Sequence, residues 1–185
     1  NNLSAFDIGP GNCLIDEWVR NNSYKKFDKN GELAKAGKVD QLILNQAIDN
    51  FKLNSYSNSL DIKNFDVSFA RGLSLENGCA TITDFTAYLI AEGLKYISQK
   101  NNITFLLCGG GRKNINLIDC IKNYLSNENN ITLESIDNYN LKGDYIESQA
   151  FAFIAIRSFL NLPISFSTTT GCKEFTVGGK LVENF

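Results

Sequence analysis

A short apolar run, Leu3 to Ile8, carries an aspartate, Asp7, just ahead of the turn Gly9-Pro10-Gly11-Asn12. A carboxylate at a strand's C-terminal edge, with a helix starting behind the turn, sits where open α/β sheets bind ligands and where an anion is favoured. Gly9 and Gly11 let backbone N–H groups come close to a phosphate. Asp7 has two readings: a functional carboxylate, or a residue that caps the turn and the following helix. A second candidate is Leu106-Leu107-Cys108-Gly109-Gly110-Gly111-Arg112-Lys113-Asn114. Its three glycines expose bare backbone to a flat ligand or a phosphate chain, and Arg112 and Lys113 could offset phosphate charge or simply be solvated. The spacing is neither G-x-G-x-x-G nor a Walker A loop, which argues against a dinucleotide oxidoreductase. Glu147 heads an otherwise apolar helix and is either a ligand contact or a complement to the helix dipole. Thr168, Thr169, Thr170 and Gly171 either line a pocket or make a turn.

The absence of His narrows the chemistry. No Ser-His-Asp or Cys-His mechanism is available, so acid–base work falls to a carboxylate. Five scattered cysteines (Cys13, Cys79, Cys108, Cys120, Cys172) form no C-x-x-C pair and read as small buried hydrophobes in a reducing cytoplasm. No metal ligand set is assigned. Eighteen Lys and Arg against 20 Asp and Glu give a net charge of −2, with no run that suits nucleic acid or a membrane surface. No apolar run nears the roughly 18 residues of a membrane helix.

The elements that would position these groups alternate. Residues 3–8 are expected to form a strand, and residues 12–20 a helix with Leu14, Ile15 and Trp18 on one side. Residues 21–38 read as a polar surface excursion, 39–48 as a short amphipathic helix, and 52–78 as loop with one helical turn. A helix over 81–97 opens on Thr81-x-x-Asp84, close to a capping box. Residues 103–108 form a strand apolar enough to be buried on both faces. A helix over 114–125, a strand over 131–136 and a strongly buried helix over 145–160 follow, then a tail ending in a short strand or hairpin. Helices alternating with strands make an α/β layered fold, and 185 residues with 43% hydrophobic content suit one domain.

In order along the chain, AFDIGPGNCLIDEW, FDKNGELAKAGKVDQLIL, ENGCATITDFTAYLIA, LLCGGGRKN, GDYIESQAFAFIAIR and LPISFSTTTGCKEFTVGGKLV resemble the segments of the anhydro-N-acetylmuramic acid kinase family. The resemblance covers nearly the whole chain. It implies an actin-like sugar-kinase fold, with residues 1–185 as the C-terminal, ribonuclease-H-like lobe, a mixed and incomplete sheet flanked by helices. It also implies an ATP- and Mg2+-dependent enzyme that opens the 1,6-anhydro bond of a muramic sugar and phosphorylates O6, in cytoplasmic cell-wall recycling, as a homodimer. By motif match Asp7 is the base that activates water. Gly9, Gly11 and Asn12 lie by the phosphates, and Gly109, Gly110, Gly111 and Asn114 by the nucleoside. Pro10 and Glu147 face the sugar.

The chain departs from the family pattern at several places. It begins at Asn1, which reads as a fragment start, and the Gly-Thr-Ser-x-Asp-Gly phosphate loop with its N-terminal lobe is missing. Ser57 and Asn58 stand where Pro and Lys are usual, Ile8 where Thr is, and Ser148 where Ala is. These changes bear on catalytic efficiency more than on fold. The alternative is a non-catalytic lobe that acts through association with another chain.

Overall fold

A computed structural model describes residues 3–51, 56, 59–60, 65–98 and 101–182. Among them the helices and strands follow as α1 (Cys13–Asn22), α2 (Glu32–Ala36), α3 (Gln41–Asn50), α4 (Leu75–Ser98), β1 (Ile103–Leu107), α5 (Ile115–Tyr124), β2 (Ile131–Ser135), α6 (Ile146–Phe159) and α7 (Ser167–Thr170).

The centre is α4. Its apolar residues Ile82, Phe85, Leu89 and Leu94 are buried, and α1, α2, α3 and α5 all pack on it. Leu14, Ile15 and Val19 of α1 are fully buried against this helix, and Trp18 donates its Nε1–H to the Leu75 carbonyl at 2.9 Å. The helix begins two turns earlier than its expected cap. Thr81 lies in its interior, donating to the Asn77 carbonyl at 2.8 Å and accepting from the Asp40 N–H at 3.0 Å. The expected capping box is therefore a bridge between α4 and the start of α3.

Residues 21–38 are more than a surface excursion. Asp28 is 5% exposed; its carboxylate accepts from the N–H groups of Leu33 (2.8 Å) and Ala34 (3.1 Å) and from the Cys79 thiol (3.4 Å). It thus satisfies the open end of α2 and ties it to α4. A solvated-looking charge in sequence is a buried cap in space.

The sheet differs from expectation. β1 and β2 pair in parallel, Ile103 opposite Ile131 through Leu107 opposite Ser135, with α5 as the crossover. Residues 3–8 form no strand but run irregularly over α4. Nor is β1 buried on both faces: Ile103, Phe105 and Leu107 are half-buried while Thr104 and Leu106 are exposed. Helices cover one face only, and alternation is the result. The described fold is α/β with a two-stranded parallel sheet.

The largest correction concerns α6, which has no buried residue. Phe151, Phe153, Ile156 and Phe159 are each at least 59% exposed. A helix apolar all round needs a partner on every side, and the described elements supply almost none. It does hold the tail: Arg157 donates to the Pro163 carbonyl at 2.7 Å, and Ser158 donates to that of Gly178. A single antiparallel bridge, Ser165 to Thr176, stands where the hairpin is expected. Of the free cysteines Cys79 is buried, but Cys108 is exposed, against the uniform burial expected. Among the described residues no helix is long and apolar enough to cross a membrane.

Candidate active site

Asp7 is held from two sides. Beneath it, a Cβ on Gly93 of α4 would stand 2.3 Å from the Cβ of Ile8, so only glycine lets residues 6–8 lie this close to the helix. One turn earlier, Ile90 meets Gly9 in the same way, at 3.1 Å. From the other side the Leu60 N–H donates to Asp7 Oδ2 at 2.8 Å. The carboxylate is exposed and faces a cavity of about 300 Å³ shared with Phe6, Tyr56, Ser59 and residues 167–171.

The turn then closes, with the Cys13 N–H donating to the Pro10 carbonyl at 3.3 Å. Asn12 donates its amide to Asp16 Oδ2 at 2.7 Å. Burial raises the Asp16 pKa, against lowering by Arg20 and Asn12. Asn12 itself lines a second cavity, of about 410 Å³, together with Gly110, Gly111 and Asn114. The two segments that the sequence marked separately as glycine-rich thus share one hollow. Its other wall, Phe27 to Asn30, was missed in sequence. The signal was there in Asn30-Gly31, both in left-handed conformation at φ 57° and 76°, which folds Phe27 and Lys29 back over the glycines.

The glycine loop is held by charge. Arg112, its side chain 8% exposed, donates from Nε to Asp137 Oδ2 and from Nη1 to Asp144 Oδ1, both at 2.7 Å. It also donates to the Gly109 carbonyl at 2.8 Å, and Lys113 pairs with Asp144 at 2.7 Å. Arg112 holds the Asp137 carboxyl well below its usual range, with help from the Gly143 N–H and Ser135. Arg112 and then Lys113 bring Asp144 down to about 2. Both cations are therefore engaged in ion pairs, an arrangement that neither sequence reading, phosphate partner or solvated charge, included. They clamp the loop after β1 to the loop after β2, so Gly109, at φ 74° and ψ −176°, keeps a conformation reserved for glycine. Asn114 is buried and accepts from the Leu117 N–H at 3.0 Å, capping α5.

The sequence matches the family model for anhydro-N-acetylmuramic acid kinase over residues 1–184. The chain belongs to the anhydro-N-acetylmuramic acid kinase family. An anhydro-N-acetylmuramic acid kinase of Pelagibacter ubique is 50% identical over 188 residues, covering 99% of this chain and 50% of that protein. The enzymes of that name from Rhizobium rhizogenes and Rhizorhabdus wittichii are 33% and 37% identical, covering 98% and 96% of this chain and 48% and 47% of theirs. The chain spans about half the length of the curated relatives it matches. Of the expected site residues, Asp7, Asn12, Gly110, Gly111 and Asn114 line the two cavities, whereas Gly9, Pro10 and Gly11, on the turn from Asp7 to Asn12, and Gly109 are in neither lining. Glu147 lies exposed on the first turn of α6, outside both linings. Ser57 and Asn58 fall outside the described residues.

Proposed function

We propose that this polypeptide supplies the Asp7-bearing half of an ATP-dependent kinase that converts 1,6-anhydro-N-acetylmuramic acid to N-acetylmuramic acid 6-phosphate. The observation that carries the reading is that one short turn has Asp7 in one cavity and Asn12 in another. A phosphoryl donor in the second and an acceptor in the first would meet along Gly9-Pro10-Gly11. Asp7 takes a proton from water as the water attacks the anomeric carbon. The C1–O6 bond breaks, and O6 receives the γ-phosphoryl group, so no separate acid is needed to protonate it.

The glycine cavity fits a nucleoside. Gly110 has no neighbour within 4 Å of where a Cβ would stand, and Phe27 offers an exposed ring opposite. Asn12, Gly9 and Gly11 lie toward the phosphates, with Gly109 and Asn114 shaping the nucleoside wall. Mg2+ fits as a companion of those phosphates, which supply most of its oxygen ligands in kinases and relieve their charge. ATP supply makes the cytoplasm the site of action.

The reading extends to the rest of the enzyme. The apolar residues exposed on α6 and the open edges of the two-stranded sheet support further polypeptide packing here. We assign that place to an N-terminal lobe needed for activity, which would complete a ribonuclease-H-like sheet and bring Glu147 toward the sugar with Pro10. A homodimer belongs to the same reading. The exposed α6 equally favours the second reading, a non-catalytic lobe that works by association.

Asp7→Asn in the full-length protein separates the two. Loss of the base is expected to lower kcat by about 10²- to 10⁴-fold, with nucleotide binding retained. Equal turnover of the anhydro sugar by variant and parent would remove Asp7 from its role.

A further inference from the structure

We propose that residues 167–171 are the sugar-binding wall of the Asp7 site, with Thr168 donating hydrogen bonds to, and Thr170 accepting them from, the hydroxyl and amide groups of a pyranose; this rests on the kinase reading. The cavity around Asp7 has two unlike walls. One is aromatic: Phe6 and Tyr56 line it, and Tyr96 packs behind both, with centroids 6.4 and 4.6 Å away. The other is a row of hydroxyls, Ser167, Thr168, Thr169 and Thr170, closed by Gly171 at φ 70°. A carboxylate stands between them. An apolar ring face on one side and convergent polar groups on the other are what a pyranose offers in return: C–H faces and a rim of hydroxyls.

The hydroxyl wall is built rather than loose. Thr169 and Thr170 both donate to the Phe166 carbonyl at 3.2 Å, which fixes their rotamers and leaves oxygen lone pairs to accept from a ligand. Phe166 packs edge-on against Phe175 at 5.2 Å. The base of the loop is tied by reciprocal bonds between Ser165 and Thr176, each 3.2 Å. A cavity of about 300 Å³ suits one amino-sugar ring. Glu147 does not line the cavity, so the cavity's polar contacts to a ring come from these hydroxyls and Asp7.

The test is Thr168→Val/Thr170→Val in the full-length protein, with Thr168→Ser as the conservative control. Two readouts are taken: KM for 1,6-anhydro-N-acetylmuramic acid and for ATP, and saturation-transfer NMR of the sugar with protein lacking nucleotide. The double variant is expected to raise the sugar KM about tenfold or more, the scale for lost hydrogen bonds to a polar ligand. Its ATP KM stays within twofold, its NMR transfer is lost, and Thr168→Ser stays near wild type. An unchanged sugar KM, or a rise in ATP KM alone, overturns the assignment. If wild type shows no turnover, the kinase reading fails by itself. Sugar transfer to wild type that vanishes in the double variant then still supports the wall, and absence of transfer to wild type refutes it.

Discussion

Gly93→Ala tests whether the close approach to α4 positions Asp7. The added Cβ would stand 2.3 Å from Ile8 Cβ, 2.7 Å from its Cγ2 and 3.3 Å from its Cα. Two of these atoms lie at the root of the residue, so a rotamer change cannot relieve the contact. Moving Ile8 Cβ from 2.3 Å out to an ordinary carbon contact of about 3.8 Å displaces it by roughly 1.5 Å. Asp7 is the next residue and moves with it. The helix itself gains, since Ala is better than Gly in an interior position by about 1 kcal/mol. Ile8 is only half-buried, and loosening it costs a fraction of the 1.5–3 kcal/mol typical of full burial. The net change in stability is then within about 1 kcal/mol, a few degrees in Tm for a chain of this size. Catalysis is not so protected. Misplacing a reacting group by about 1 Å can cost about 10²-fold, or about 2.7 kcal/mol of barrier. Full-length Gly93→Ala is therefore expected to melt near wild type while kcat falls 10- to 100-fold. A kcat within twofold of wild type refutes the positioning role. A collapse in Tm refutes the idea that the segment can retreat from the helix.

Two further outcomes concern the scaffold. Asp28→Ala leaves the N–H groups of Leu33 and Ala34 buried without an acceptor; at about 1–3 kcal/mol for each such donor, the loss is about 2–6 kcal/mol. Urea denaturation should show it, and a midpoint shift worth under 1 kcal/mol would deny Asp28 its capping role. Arg112→Ala removes the group that depresses Asp137 and Asp144. Carboxyls whose pKa is lowered on folding stabilise above their unfolded value, 3.8 here, and that contribution fades as pH falls toward about 2 for Asp144 and further down for Asp137. The stability gap between wild type and Arg112→Ala should thus be full at pH 7 and shrink between pH 4 and 2. A gap that stays constant across that range would mean that the ion pairs are not its source.

What the sequence revealed, and what it hid, follows from the range of the interactions. The helix from Cys13 and the βαβ unit from Ile103 to Ser135 are written in local periodicity, and the described structure contains them. The Arg112 clamp was not legible because its partners lie 25 and 32 residues away, where no local pattern points. Asp28 looked solvated because its neighbours in sequence are polar; its burial comes from Cys79 and α4, 51 residues on. The error at α6 has another origin. Its residues are apolar enough for a core, but composition records hydrophobicity and not what covers it, and the described elements leave the helix exposed.

The candidate site shows the same division. The Asp7–Asn12 turn was legible because a carboxylate, two glycines and a helix start fall within a few residues. Each cavity beside it needs a wall from elsewhere, Phe27–Asn30 for one and Ser167–Gly171 for the other, so neither was legible from the turn alone. That arrangement constrains the chemistry. Five residue steps separate Asp7 from Asn12, so their Cα atoms are at most about 18 Å apart, and the folded turn is shorter. On the proposed kinase reading, a donor phosphate chain and an acceptor ring in the two cavities would meet near this turn. Gly9 is packed against Ile90 of α4, but nothing lies within 4 Å of where a Gly11 Cβ would stand. On that reading Gly11 leaves the room for the transferred group, and a bulky residue in its place would separate two intact binding sites from each other.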